Sequence, residues 1–394
     1  MDAYGETVKS AIQKRACSLN ALGMFVFENP ELQFEEHKAH DFITNYLEQE
    51  GFLVHRNYIL ETAFRAEYGR GSPVVVLLCE YDALPNLGHA CGHNLITESA
   101  VAAGIAVKEV LQQDSSLSGK VVVLGTPAEE AGHGKVYLID GGAFEGADVA
   151  MMIHPAPVNI AVFPSLALAR CRVEYRGKES HSGATPWEGV NALDAAVGAY
   201  VNLSMLRQQM KPSWKLGATI KDKDSRANVT PSVYYMEVTM RAPKSHELAE
   251  LKSKVEACLN SAATATGCEV DVAMKDPIAQ DVVTNTALAK VYQENAEKLG
   301  MRFPDTSRFP AMIGASTDAG NVSHILPLIH PTFGLNTRAI NHTAEFADAA
   351  RAQTSYELTL TAAQALSLTA LEVIRDPNLL KQVKDEFETN QTQK

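Results

Sequence analysis

Residues 80–94, EYDALPNLGHACGHN, hold two carboxylates, a thiol and two imidazoles in one short stretch. Cys91 and His93 are both metal-ligand types, one residue apart, set among Gly88, Ala90 and Gly92. Small residues on either side let backbone close tightly around a bound group. The stretch follows VVVLL (74–78), a short apolar run rich in β-branched residues that reads as a buried strand. Asp82 therefore leaves a sheet interior, where an unpartnered carboxylate would be costly. This loop reads as one side of a divalent metal centre.

Two further clusters fall at the ends of apolar runs. VVVLG (121–125) leads into Thr126-Pro127-Ala128-Glu129-Glu130, and the run at 149–153 leads into His154-Pro155. Adjacent residues in a turn can point in different directions. One of Glu129 and Glu130 can then bind metal while the other takes the proton of an attacking water, the pair a metallohydrolase needs. Alone, two neighbouring glutamates are an ordinary solvated pair, but at the mouth of a buried strand they need partners. His154 and His342 stand beside Pro155 and Asn341. A single histidine is more often a packed, hydrogen-bonded residue than a ligand. Three of them with Cys91 and a glutamate make a donor set that suits zinc, and manganese or cobalt also accept such a mixture. His89 is a rival ligand. Asp82 fits the carboxylate that orients a ligating histidine.

The positioning elements follow from the pattern. Helical periodicity runs through 7–28 and 35–50, separated at Asn29-Pro30, and an Ala/Val-rich buried helix follows at 96–111. Apolar strands alternating with helices predict an α/β sheet with helices on both faces, and ligands bind such sheets outside the carboxyl ends of the strands. Between 166 and 280 the order becomes strand, helix, strand, strand, helix, strand, the ferredoxin-like βαββαβ unit. The expected organisation is a discontinuous catalytic domain (1–165 and 281–394) around an inserted domain (166–280). A helix at 286–299, a strand near 328–335 and a long helix after Asn341-His342 complete it, and the last dozen residues read as frayed.

With 394 residues, 46% hydrophobic and 21% charged, the composition is that of a globular protein of two domains. A net charge of -12 argues against nucleic acid as the main partner. No window approaches a membrane span, and the first residues lack a secretory pattern, so a cytoplasmic location is expected. The six cysteines then read as reduced thiols, five of them small buried hydrophobes and Cys91 a ligand.

In order and context these motifs resemble the co-catalytic metallopeptidase family of aminoacylase, carnosinase and glutamate carboxypeptidase, across nearly the whole chain. DALP…GHACGH with TPAEE resembles the amidohydrolase branch, and ASTDAGNVS (315–323) with Ile340-Asn341-His342-Thr343 is most similar to its β-alanyl-lysine dipeptidases and p-aminobenzoyl-glutamate hydrolases. The resemblance implies two metal ions bridged by Cys91, with His93, Glu130, His154 and His342 completing the shells. It implies Glu129 as general base and Asp82 as the active-site aspartate. Glu80 stands where the wider family has a histidine ligand. In GKESHSGATP it implies that His181 stabilises the oxyanion from the partner subunit of a homodimer, and that the inserted domain is a lid and dimerisation unit. Asn228 and Arg241 would contact the substrate backbone and its carboxylate. The expected substrates are β-alanyl-lysine-type dipeptides with a basic C-terminal residue, or else p-aminobenzoyl-glutamate or N-acyl amino acids. Asp318 is the one candidate for reading a basic side chain. Two rivals stand beside this: Cys91 as a nucleophile with a histidine base, and an inactive dimeric binding protein of the same fold, for which loss of Glu129 would be the mark.

Overall fold

The computed structural model describes residues 4–222, 226–305 and 314–392. They form two compact units. One takes the described residues up to Pro164 and those from Val282 onward except Gly314–Ser316; the other takes Ser165–Asp281 with Gly314–Ser316.

In chain order the first unit begins with α1 (Gly5–Gln13), α2 (Ala16–Glu28) and α3 (His37–Gln49). The periodicity through 7–28 reads as a single helix, but the chain breaks at Lys14 and Arg15. The break lets the Arg15 guanidinium reach Glu50 at 2.7 Å and Glu109 at 2.9 Å. Then come β1 (Leu53–Arg56), β2 (Phe64–Arg70), β3 (Val74–Cys79), α4 (His93–Gln113), β4 (Gly119–Gly125), α5 (Gly134–Asp140), β5 (Val149–Met151) and β6 (His154–Ala156). The second unit supplies β7 (Ala167–Arg176), α6 (Ala192–Leu206), β8 (Lys215–Lys221), β9 (Val233–Ala242), α7 (Ser245–Thr266) and β10 (Glu269–Met274). The first unit resumes with α8 (Thr286–Lys298), α9 (Ala319–Ser323), β11 (Leu328–Ile329), β12 (Thr332–Gly334), α10 (Ala344–Ala350), α11 (Gln353–Arg375) and α12 (Pro377–Thr392).

The main sheet has the order β1-β2-β4-β3-β5-β11. It is mixed: β4, β3, β5 and β11 run parallel, and β2 pairs antiparallel with β1 and β4. Alternate side chains of β3 and β4 enter two different cores. Val75, Leu77, Val121 and Val123 pack with α4 and α11, while Val76, Leu78, Val122 and Leu124 pack with Leu138 of α5 and Val322 of α9. Both faces are therefore covered, which is why these strands read as unbroken apolar runs.

In the second unit the order is β10-β7-β9-β8, antiparallel throughout. With its βαββαβ sequence order this is the ferredoxin-like arrangement. Residues in β9 alternate, Met236, Val238 and Met240 turning inward onto α6 and α7.

Several boundaries differ from the sequence reading. The run at 149–153 stops as a strand at Met151, and His154 opens β6, which pairs with β12 in a separate two-stranded ribbon. The stretch at 328–335 is two short strands, and the single long helix expected after His342 is three helices. The tail is helical to Thr392, not frayed. Val383 is fully buried, its carbonyl accepts from Asn285 Nδ2 at 2.8 Å, and Glu386 accepts from the backbone N–H groups of Thr286 and Ala287 at the start of α8. All six cysteines are free thiols, but Cys17 is exposed and Cys258 and Cys268 are half-buried, so only part of the set serves as buried packing.

Candidate metal centre

Four loops at the carboxyl ends of the sheet strands bring the donors together. Glu80 and Asp82 follow β3 directly, and both are buried. Cys91 and His93 flank Gly92, which has φ +83°; a Cβ there would lie 2.5 Å from Pro155 Cγ. Only glycine allows that conformation and that approach. It sets His93 at the first position of α4. After β4 the chain turns through Ala128, a non-glycine residue at φ +62°, and presents Glu129 and Glu130. His154 begins β6, and His342, at φ +68°, follows β12.

Two groups of three donors result, each with its ligand atoms within 4.8 Å of one another: Cys91, His93 and His154, and Cys91, Glu130 and His342. Cys91 belongs to both. Cys91 Sγ lies 3.5 Å from His154 Nε2, and His342 Nε2 lies 3.4 Å from Glu130 Oε1. A third group, Glu80, His93 and Glu129, shares His93 with the first. His89 is in none of the three.

The imidazoles are set up as ligands. His93 Nδ1 is 2.9 Å from Asp82 Oδ1, and His154 Nδ1 is 2.8 Å from the Pro155 carbonyl oxygen. Both partners can only accept, so each Nδ1 carries a hydrogen and each Nε2 faces the donor cluster. His93 Nε2 is buried and hydrogen-bonds to nothing among the described residues. Burial, followed by the charges of His330 and His93, lowers His154 to about 3, holding it in the neutral form a ligand needs. A divalent ion fits this set: a thiol, imidazoles and a carboxylate converge, and the buried His93 Nε2 among them makes no hydrogen bond among the described residues.

The carboxylates are held separately. Asp82 Oδ2 accepts from the Glu130 N–H at 3.0 Å, so Asp82 fixes both a donor histidine and the glutamate turn. Burial, then the charges of Glu80 and Glu130, drives Glu129 well above the ordinary carboxylate range. For Glu130 burial also acts upward, but His342 and His93 outweigh it and lower its pKa. Burial, then Glu130, pushes the Cys91 thiol well up. That is the reverse of the lowered pKa that activates a cysteine nucleophile.

The roles of three residues at this centre escaped the sequence reading. Glu36, from the loop before α3, is buried and accepts from the Ala128 N–H at 2.9 Å and from Thr62 Oγ1 at 2.7 Å. Asn341 Nδ2, half-buried, is shared between the carbonyls of Cys91 (3.2 Å) and Pro155 (3.1 Å), tying three ligand-bearing loops. Lys135 is fully buried, with Nζ 2.7 Å from Glu80 Oε1 and 2.6 Å from Asp318 Oδ1. Burial pushes Glu80 up, but Lys135, then His93 and His154, together outweigh it and hold Glu80 down at about 2. Asp318 is thus engaged by Lys135, which corrects its reading as the residue for a basic substrate side chain.

The second unit holds the remaining candidates. His181 is exposed, and its Nδ1 accepts from the N–H groups of Gly183 and Ala184, each at 3.2 Å. Its hydrogen is therefore on Nε2, which is left as a donor. Asn228 is exposed, its carbonyl accepting from the Ser182 N–H at 3.2 Å. Arg241 Nε is buried and hydrogen-bonds to nothing among the described residues.

Residues 77–365 match the family model described as peptidase family M20/M25/M40. The chain is 46% identical to the Xaa-Arg dipeptidase of Mus musculus, over 95% of this chain and 90% of that protein. It is 26% identical to a p-aminobenzoyl-glutamate hydrolase chain of Escherichia coli (strain K12), over 92% and 90% respectively. A solved Bacillus subtilis protein described as a dinuclear metal binding peptidase from the M20 family superposes with a TM-score of 0.69 at 20% identity, covering 92% of this chain and 99% of that one, a likeness of fold. The two donor groups and the sequence likeness lead to one assignment: the chain belongs to the peptidase family M20/M25/M40 and is a hydrolase of the metallopeptidase kind.

Proposed function

We infer that the protein is a two-metal dipeptidase that releases a basic C-terminal residue, arginine or lysine, from dipeptides, β-alanyl-lysine-type substrates among them. The observation that carries the two-metal reading is the sharing of Cys91 between two donor groups, while Glu129 stands beside both and belongs to neither. Cys91, His93 and His154 would hold one ion, and Cys91, Glu130 and His342 the other. Bound there, divalent ions supply Lewis acidity toward the scissile carbonyl and toward water; the donor set suits zinc, with manganese and cobalt as alternatives.

Glu129, raised by burial and by its acidic neighbours, takes the proton from water and delivers it to the leaving amine. Asp82 keeps His93 in the required tautomer. His181, with its hydrogen on Nε2, donates to the oxyanion developing on the substrate carbonyl, and the ferredoxin-like unit acts as lid and dimerisation surface that brings it from the partner subunit. Asn228 and the unpaired Nε of Arg241 engage the substrate backbone and carboxylate. The basic-residue preference is supported by likeness to a protein named Xaa-Arg dipeptidase.

Metal analysis with a substrate panel tests this: dipeptides ending in arginine or lysine, β-alanyl-lysine, p-aminobenzoyl-glutamate, N-acetyl amino acids and carnosine. The expected result is chelator-sensitive hydrolysis with the highest kcat/KM for basic C-terminal residues; preference for p-aminobenzoyl-glutamate or N-acetyl amino acids would sink the specificity. For the trans role, inactive His181→Ala and Glu129→Gln subunits are mixed. Recovered activity is expected, and none would count against it.

A further inference from the structure

Trp187, 77% exposed, is the most exposed large apolar side chain among the described residues. The other tryptophan of the chain, Trp214, is buried, and its indole N–H donates to Glu247 at 3.4 Å. Burial is the ordinary state of so large an aromatic group, and a bare one forgoes a large apolar contribution. The loop beneath Trp187 is well tied. Lys178 and Val190 exchange both backbone hydrogen bonds, at 2.8 and 2.9 Å, which closes the neck of the loop. Ser180 Oγ meets Thr230 Oγ1 at 2.8 Å, and the Ser180 carbonyl accepts from the Thr230 N–H at 3.0 Å. The His181 carbonyl accepts from the Thr185 N–H at 3.0 Å, and the Thr185 carbonyl from the Glu188 N–H at 3.1 Å. These bonds fix the short 3₁₀ turn Pro186–Glu188 on which Trp187 stands. His181 and Trp187 thus belong to one hydrogen-bonded loop, the first offering an Nε2–H and the second a bare indole face. Glu188 is exposed and its carboxylate makes no ion pair or hydrogen bond among the described residues.

We propose that Trp187 reads the basic side chain of the substrate, its indole face stacking on the ammonium or guanidinium group, with Glu188 supplying negative charge next to it. The proposal rests on the basic-residue preference inferred above. It holds whichever subunit His181 serves, because the same loop carries both residues. Asp318, the acidic residue that the sequence offered for this task, is engaged by Lys135 and leaves the task open. A tryptophan face is the best aromatic partner for a cation, and it accepts arginine and lysine alike. It also spares the substrate the cost of burying an ion pair, which a carboxylate pocket would impose. Trp187 is a specificity-determining residue in this account and takes no part in proton transfer.

The test measures kcat/KM of the full-length, metal-loaded protein on β-alanyl-lysine and β-alanyl-norleucine, which differ only by the ammonium group. Wild type should favour the lysine dipeptide. In Trp187→Leu, which stays apolar, the lysine-to-norleucine ratio should fall by roughly 2- to 30-fold, the span of a cation–π contact from exposed to desolvated. Trp187→Phe, with a smaller aromatic face, should restore part of the ratio. Glu188→Gln should lower the ratio by an amount that added salt erases. Circular dichroism checks that each variant is folded. A ratio that Trp187→Leu leaves at the wild-type value overturns the proposal. So does an equal fall on both dipeptides, because Trp187 then supplies apolar cover and reads no charge. A wild type that does not favour lysine overturns the basic-residue reading and this proposal with it, so the two failures are told apart by the wild type alone.

Discussion

Glu36 and Asp82 hold the same three-residue turn at its two ends. Glu36 Oε1 accepts from the Ala128 N–H at 2.9 Å, and Asp82 Oδ2 accepts from the Glu130 N–H at 3.0 Å. Glu129 lies between them. Ala128 sits at φ +62°, a conformation that costs a non-glycine residue energy and persists only where its surroundings impose it. Two buried carboxylates impose it here, and the same Asp82 sets the tautomer of His93. Glu129 and the first donor group are thereby referenced to one side chain.

Glu36 gives this arrangement a pH signature. Burial, then the charge of Asp82, raises it from 4.5 to about 7. Its folded-state pKa lies above the unfolded value, so the folded chain holds the extra proton between these limits and loses stability as pH climbs through them, by on the order of 3 kcal/mol. Glu36→Gln keeps a carbonyl for the Ala128 N–H and removes the titration. Its melting temperature should change less between pH 5 and pH 7.5 than that of wild type. Parallel profiles for the two proteins would refute the assignment. Glu36→Ala, which leaves the buried Ala128 N–H unmet, should cost about 1–3 kcal/mol and lower kcat more than Glu36→Gln does.

Asp82→Asn separates orientation from charge. The amide can accept from His93 Nδ1–H or from the Glu130 N–H, but its nitrogen must then face the other donor, so one of the two bonds breaks. Metal affinity should fall by roughly 10- to 100-fold, the usual cost of losing such a support. Competition with a chromophoric chelator measures it, and an unchanged affinity would mean that Asp82 does not orient a ligand.

What the sequence disclosed and what it hid divide on physical grounds. The strands β3 and β4 were legible because both faces are covered and their apolar runs are unbroken. Cys91, His93, Glu129, Glu130 and His154 stood out because each follows such an apolar run in the sequence. Glu36 did not: it stands beside Glu35, whose side chain is 77% exposed, and its partner Ala128 is 92 residues away. Lys135 in GKVYLID reads as a solvated helix position, and Asp318 is 183 residues distant. Local pattern records which face is covered, while a pairing across the fold leaves no periodic trace.

Asn341 offers a test of how the loops are tied. Its side-chain amide serves Cys91 and Pro155 carbonyls while the next residue, His342, donates its N–H to Ala90. Asn341→Ala removes both side-chain bonds. Stability should drop by about 1–2 kcal/mol, and metal affinity should drop with it, because the two donor groups lose a common fixing point. A variant that loses stability yet binds metal as wild type would show that the tie is structural alone.

Cys91 separates the metal mechanism from a cysteine nucleophile. A thiolate shared by two ions gives cobalt-loaded protein a sulfur-to-metal charge-transfer absorption in the near ultraviolet. Cys91→Ser should abolish that band and weaken binding at both groups, because a serine hydroxyl stays protonated where a thiol ionises on a metal. Removing the metal should instead leave a thiol that burial holds protonated, slow to react with iodoacetamide at neutral pH. Chelator should abolish hydrolysis, and zinc should restore it. If hydrolysis survived chelation and iodoacetamide then stopped it, Cys91 would be the attacking group and Glu129 would need another role. The direction in which burial moves its thiol, with one carboxylate and three imidazoles placed around it, favours the metal.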